Sequence, residues 1–375
     1  MEIGNMELIK NIRRRMILGI VIGIVVVVAV VGIVFVNQPS FGRLPRGERL
    51  ERIKSSPHYK NGAFENLSPT TLMTSDKGRL QGLWEFVFAK KDGLVPDKPI
   101  PVIKTDLKEL ERDSNLMVWF GHSSYLLQLD GKRVLVDPVF CVASPVSFVN
   151  KPFTGTDIYK PEDMPDIDYL VISHDHWDHL DYQTVKRLKD RVRKVICPLG
   201  VGEHFEYWGF DKERLVELDW QENAKLDSGF MVHCLPARHF SGRGLTSNQS
   251  LWASFLVETP SRKVYIGGDS GYDTHFAEIG KQFPRIDLAI LENGQYNEGW
   301  KYIHTMPRYL GQAARDLKAE KIVTVHHSKY ALARHRWDEP LENEMKAAKE
   351  DSLNLIVPVI GQVIGLNPVE KEAHE

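Results

Sequence analysis

Six consecutive residues, His174-Asp175-His176-Trp177-Asp178-His179, hold three histidines and two aspartates. Imidazole nitrogens and carboxylate oxygens together are the donor set of zinc and related divalent cations. Ahead of them, residues 167–172 (Ile-Asp-Tyr-Leu-Val-Ile) read as a buried strand, and residues 181–189 behind them read as a helix. The cluster therefore sits on a strand-to-helix loop, where donors converge without interrupting a ladder. His174 and His176 alternate along an extended chain and point the same way. Asp178 and His179 lie past the bend and face a second point. Asp175 reads as support for the loop.

One loop supplies too few donors for two cations. Three further residues are each the first His or Asp after an apolar strand: His239 after residues 230–235, Asp269 after residues 264–268, and His326 after residues 322–325. His327 competes with His326 for the last position. Two cations about 4 Å apart share a hydroxide and lower its pKa toward neutrality, which provides a nucleophile at physiological pH. A covalent serine route has no support, because the chain lacks a Gly-x-Ser-x-Gly elbow.

The elements that must hold these residues follow from the apolar pattern. Strands are predicted at residues 116–120, 125–129 and 133–136, with Asp130-Gly131 turning a hairpin. Further strands fall at 194–197, 215–218, 230–235, 251–258, 263–267, 286–291 and 321–325, and helices at 202–207, 274–282 and 307–317. Many strands with a few helices imply sheets covered by helices in one domain. Residues 37–100 read as an irregular lead-in, broken by Pro39, Pro45, Pro57, Pro69, Pro96 and Pro99.

Residues 16–36 are uncharged and apolar, long enough to cross a bilayer as an uncleaved helix. Lys10, Arg13, Arg14 and Arg15 stand just before it and keep residues 1–15 cytoplasmic by the positive-inside rule. The rest is then expected in the periplasm or outside the cell, held to the inner (cell) membrane. Residues 1–60 carry ten Lys/Arg against four Asp/Glu, whereas the remainder carries 38 against 46. Arg43, Arg46, Arg49, Arg52, Lys54 and Lys60 form a basic collar suited to anionic headgroups. The acidic remainder argues against nucleic acid as a partner. Cys141, Cys197 and Cys234 form no CxxC pair and are assigned to no metal.

The pattern of His174/His176/Asp178/His179, His239, Asp269 and His326 resembles the metallo-β-lactamase fold superfamily. Gly121-His122-Ser123-Ser124, Val136-Asp137-Pro138, Pro198-Leu199-Gly200, Glu217-Leu218-Asp219-Trp220, Gly268-Asp269-Ser270-Gly271-Tyr272 and Tyr302-Ile303-His304 narrow it to one branch. That branch holds N-acylphosphatidylethanolamine-hydrolysing phospholipase D and its bacterial relatives. The resemblance implies an α/β (α+β) fold, a four-layer αβ/βα sandwich over residues 101–375, with the lead-in packed on it. It implies His174, His176 and His239 at a first metal, Asp178, His179 and His326 at a second, and Asp269 between them. The cations are expected to be two Zn2+. His122 and Asp137 resemble positions that orient the ligands, and His304 is the expected proton donor to the leaving group. Trp177, Tyr182 and Phe240, with Phe148 and Phe153, are candidates for an apolar mouth.

The function so implied is a membrane-anchored dinuclear hydrolase of phospholipid-type phosphodiesters, with membrane phospholipid as substrate. A lactonase of the ascorbate-6-phosphate lactonase type is the alternative enzyme, and an anchored, non-catalytic binding protein the alternative from another class. An isologous homodimer at the membrane surface is compatible with either enzyme.

Overall fold

The computed structural model describes residues 2–75, 93–146, 148–227 and 229–366, with side chains from residue 10 onward. Residues 76–92 of the expected lead-in and residues 367–375 of the expected hydrolase domain lie outside the described residues. The chain divides into two compact units, Met1–Phe41 and Gly42–Glu375. The first unit is chiefly one helix, α1 (Glu2–Val36). Its stretch Lys10–Val36, 27 residues, is long and apolar enough to cross a membrane. At 1.5 Å per residue that is about 40 Å, more than the roughly 30 Å of hydrocarbon in a bilayer.

The second unit opens with helix α2 (Gly47–Ser55) and a hairpin of β1 (Tyr59–Lys60) and β2 (Ala63–Phe64). The expected irregular lead-in is therefore partly regular. Pro45 and Pro57 flank α2 without entering it, and its Ile53 is fully buried, as is Phe64 of β2. The basic collar also needs correction. Arg49 reaches Glu203, Glu206 and Glu217, Arg43 reaches Glu203, and Arg52 reaches Glu222. These three arginines of the collar meet the protein's own glutamates.

Two seven-stranded sheets follow. The first contains β3 (Leu116–Trp119), β4 (Tyr125–Leu129), β5 (Lys132–Val136), β6 (Ile167–Val171), β7 (Val192–Pro198) and β8 (Leu215–Leu218). The second contains β9 (Asn223–Lys225), β10 (Met231–Leu235), β11 (Ser254–Glu258), β12 (Lys263–Ile266), β13 (Ile286–Glu292), β14 (Ala319–Val325) and β15 (Leu355–Ile356). The last strand, β16 (Val363–Gly365), returns to the first sheet beside β3. The sheet orders are β16-β3-β4-β5-β6-β7-β8 and β15-β14-β13-β12-β11-β10-β9. In each, one half is antiparallel and the other parallel, the change falling at β5 and at β12.

Side-chain alternation builds the layers. Val134, Val136, Tyr169 and Val171 point into the core between the sheets, against Val257, Val264, Ile266 and Ile290. Leu135, Leu170 and Ile172 point outward under helices α3 (Tyr182–Leu188) and α4 (Gly202–Tyr207). Helices α5 (His275–Gln282), α6 (Pro307–Leu317) and α7 (Glu339–Asp351) cover the outer face of the second sheet. This is the expected four-layer sandwich.

Helix α7 was not expected, and its buried face explains why: it consists of Pro340, Glu344 and Ala347. The Glu344 carboxylate accepts from the Thr324 hydroxyl, and burial pushes its pKa up to about 7. The native carboxyl thus holds its proton more tightly than the unfolded chain, where the value is about 4.3. Stability from this group is fully present below about pH 4 and is lost as pH rises toward 7. Glu344→Gln is expected to gain up to roughly 4 kcal/mol of stability over the parent at pH 8 and so to unfold at a higher temperature, with the gap closing near pH 4. Calorimetry at the two pH values checks this, and equal transitions at pH 8 would refute it.

Candidate metal centre

Turns and strand ends from both sheets meet at one rim. The β3–β4 turn brings His122 and Ser123, the end of β5 brings Asp137, and the loop after β6 brings residues 173–179. The second sheet adds His239 after β10, Asp269 after β12, Glu292 at the end of β13 and His326 after β14. Three of these residues have left-handed backbone, His122 at φ 52°, Asp137 at φ 40° and His326 at φ 72°. Such a conformation in a residue with a Cβ costs on the order of 1 kcal/mol and persists only where surrounding contacts fix it. Gly268, at φ +59°, lets the Asp269 loop lie against the β6 loop, where a Cβ would stand 2.8 Å from Ser173 Cβ.

The donor atoms form overlapping groups, each with all its atoms within 4.8 Å of one another. One group is His174, His176 and His239; another is His122, Asp178, His179 and His326. Asp269 stands between them. Its Oδ2 is 4.0 Å from His174 Nε2 and 3.8 Å from His239 Nε2, while its Oδ1 is 3.2 Å from both His179 Nε2 and His326 Nδ1. One carboxylate thus turns an oxygen to each group.

Hydrogens alone do not satisfy this arrangement. His239 Nδ1 donates to the Ile303 carbonyl at 2.7 Å, which leaves Nε2 bare. Ser173 Oγ lies 2.6 Å from Asp137 Oδ2 and 3.0 Å from His174 Nδ1. With the Ser173 hydroxyl donating to Asp137, His174 Nδ1 donates to the serine oxygen and its Nε2 is bare as well. Both bare nitrogens point at His176 Nδ1, at 2.9 and 3.1 Å, and that atom carries at most one hydrogen. His179 Nε2 and Asp269 Oδ1 are buried with no hydrogen-bond partner. Converging lone pairs of this kind fit a cation.

The electrostatics agree. Burial holds His174, His239 and His326 well below the usual histidine range, in the neutral state that can donate to a cation. Burial also opposes charge on Asp178 and Asp269, but the surrounding histidines, His179 foremost, together outweigh it and lower both. His179 is in turn raised against burial by Asp269 and Asp178. The centre calls for positive charge.

The surrounding side chains fix the donors. Asp137 accepts from Ser173 N at 2.8 Å and from His179 Nδ1 at 2.8 Å, so that His179 Nε2 faces inward. His122 Nε2 lies 2.9 Å from Asp178 Oδ2, and Ser123 Oγ lies 2.8 Å from His326 Nδ1. His304 Nδ1 lies 2.7 Å from Glu292 Oε2. Burial lowers His304 but Glu292 more than offsets it, giving a pKa of about 8. His327 turns away from Asp269, toward Thr324 and the Trp119 ring.

Residues 132–327 match the family described as the β-lactamase superfamily domain. The chain belongs to that superfamily. Within it, the chain is 31% identical over 281 residues to N-acyl-phosphatidylethanolamine-hydrolyzing phospholipase D 1 of Caenorhabditis elegans, covering 69% of this chain and 78% of that one. It is 61% identical over 95 residues to outer membrane protein RomA of Klebsiella pneumoniae, 25% of this chain and 72% of that one. Igni18, a metallo hydrolase from Ignicoccus hospitalis, shares the superfamily fold at 21% identity and a TM-score of 0.52, over 67% of this chain and 97% of that one.

The expected aromatic mouth separates into parts. Phe240 packs on His176 and His239, with ring centroids 4.3 and 4.9 Å away. Trp177 lies under the Arg243 guanidinium, 4.1 Å from it. Tyr182 instead packs on Trp208 in the outer helical layer, and Phe153 is buried. Only Phe148 of the five is strongly exposed, at 72%.

Glu292 is the site residue that sequence reasoning misses, because the apolar run 286–291 stops one residue short of it and β13 includes it. Like Asp269 and His326, Glu292 is the first polar residue after an apolar run, which is the signal that could have found it. Asp137→Asn is expected to turn an amide N–H toward His179 Nδ1 and reverse that ring's tautomer, so that Nε2 no longer donates. Metal retention, read as the chelator concentration that strips half the bound metal, should fall about 10–100-fold. Unchanged retention would remove Asp137 from the orienting role.

Proposed function

We propose that this member of the β-lactamase superfamily is a phosphodiesterase of phospholipase D type that cleaves N-acylphosphatidylethanolamine-class lipids. The observation that carries it is the Asp269 carboxylate between two imidazole-rich groups, in a chain similar to an enzyme of that name. His174, His176 and His239 would hold one cation and Asp178, His179 and His326 the other, with Asp269 touching both. Two divalent cations bound there, zinc by the donor set, would supply a water made nucleophilic near neutral pH and positive charge for a phosphoryl oxygen.

The chain's own residues supply the rest. The oxygen of water bonds to phosphorus as the bond to the ethanolamine oxygen breaks, giving phosphatidate and N-acylethanolamine. That departing oxygen needs a proton. With Nδ1 held by Glu292, His304 presents Nε2 for it, and a pKa of about 8 keeps the ring protonated at neutral pH. Phe240, beside the first group, offers apolar surface to the lipid. Helix α1 supports placement at a membrane by its length and composition. By the charge before it, we assign the inner membrane, with the hydrolase unit on the far side from the cytoplasm. Fractionation of cells would show the chain in the outer membrane if it follows RomA instead.

Two measurements on the full-length protein test the reading. Metal analysis and hydrolysis of N-acylphosphatidylethanolamine should give two metals per chain and release of N-acylethanolamine, both lost in Asp269→Asn. Two metals without cleavage of this lipid would overturn the substrate, and sugar-phosphate lactones would be assayed next. His304→Gln should lower kcat by about 100-fold with metal content unchanged. An unaltered kcat would take His304 out of the proton transfer.

A further inference from the structure

Asp175 is the residue between the candidate ligands His174 and His176, and it is buried with contacts on several sides. Its Oδ1 accepts from Gly242 N at 2.7 Å, and its Oδ2 accepts from Ser250 Oγ at 2.8 Å. Oδ2 also lies 3.2 Å from Nε2 of His204, a residue of α4. On its other side, His204 Nδ1 accepts the backbone N–H of Arg43 at 3.1 Å. An amide N–H can only donate, so Nδ1 is bare and Nε2 carries the ring proton toward Asp175. The result is a relay with a fixed direction, Arg43 N–H to His204 to Asp175.

The start of the relay is closely fitted. Gly42 has φ +71°, and a Cβ there would stand 2.0 Å from His204 Nδ1. The neighbouring Glu203, 2% exposed, takes the Arg43 and Arg49 guanidiniums at 2.5 Å each. The opening segment of the second unit is thus locked onto α4 by charge and onto His204 by its backbone.

We infer that His204 is a positioning residue, which transmits the docked state of residues 42–49 through Asp175 to the His174/His176/His239 group. The mechanism is mechanical. His174 Nε2 and His176 Nδ1 stand 2.9 Å apart on either side of Asp175 along the chain, so a displacement of Asp175 moves both donors together. With the segment docked, the group is held in register. With it released, His204 loses the partner that anchors its Nδ1 edge, the ring is free to swing away, and Asp175 then loses one of its three donors.

This inference rests on the reading of these histidines as metal ligands. Its test uses the full-length protein in detergent, with Zn2+ as probe. The readouts are the chelator concentration that strips half the metal and the visible absorption of the cobalt-substituted protein. His204→Leu is expected to release one of the two metals at a chelator concentration about 10–100-fold lower and to alter the cobalt bands. His204→Gln, whose amide both accepts and donates, should return to within about threefold of the parent. Gly42→Ala leaves His204 in place but forces residue 43 away, and should weaken the same metal; it decides the matter if His204→Leu does not fold. Parent-like stripping and cobalt spectra in His204→Leu and Gly42→Ala, even with lower thermal stability, would overturn the inference. A parent chain that holds no metal overturns both this and the proposed function. A parent that holds two metals but leaves the lipid intact overturns the substrate alone, and the variants are compared as before.

Discussion

The structure is organised around a buried space that holds more lone pairs than hydrogens. His174, His176, His239, His179, His326, Asp178 and Asp269 crowd together, and their tautomers are dictated from outside. Asp137 fixes His179, the Ile303 carbonyl fixes His239, and Ser173 fixes His174. In His239 and His174, which burial keeps neutral, the outward hydrogen bond spends the ring's one hydrogen and leaves the inward nitrogen bare. Ordinary packing would not tolerate this, because a buried polar atom without a partner costs about 1–3 kcal/mol. Seen this way, the left-handed backbone at His122, Asp137 and His326 is part of the same arrangement: it holds side chains where relaxed loops would not.

The two sheets make the arrangement possible. Each changes from antiparallel to parallel at an interior strand, and the loops leaving the parallel halves rise on the same side. Crevices outside the carboxyl ends of parallel strands are where open α/β sheets gather their polar groups. Between the sheets the core is apolar, with Tyr169, Phe255, Ile290 and Val323 among its members. The rim above that core is polar. The strands below fix where each donor-bearing loop leaves the sheets.

How much of this the sequence disclosed depends on the range of the interaction. The strands carrying the donors declare themselves through runs such as Ile322-Val323-Thr324-Val325, and the donors follow directly behind them. The loop containing His174 through His179 is local, so its chemistry is readable in isolation. Helix α7 was hidden because its buried face is Pro340, Glu344 and Ala347, which no apolar stripe announces. Helix α2 was hidden by its charge, since a single fully buried residue, Ile53, anchors it among arginines and glutamates. The arginines looked free because their partners, Glu203 and Glu217, lie more than 150 residues away. Tyr182 was misplaced for a similar reason: proximity in sequence to the motif said nothing about which face of α3 it would occupy.

The division of the donors between the sheets carries a further consequence. His174, His176, Asp178 and His179 follow a strand of the first sheet, whereas His239, Asp269 and His326 follow strands of the second. Neither half alone presents a complete set. Any cation that takes these donors does so only once the two sheets have closed on each other, and it then acts as a clasp across their interface. Its binding free energy is added to the stability of the whole sandwich. Metal occupancy would then report on completed folding, and a chain short of metal would lose that clasp between its sheets.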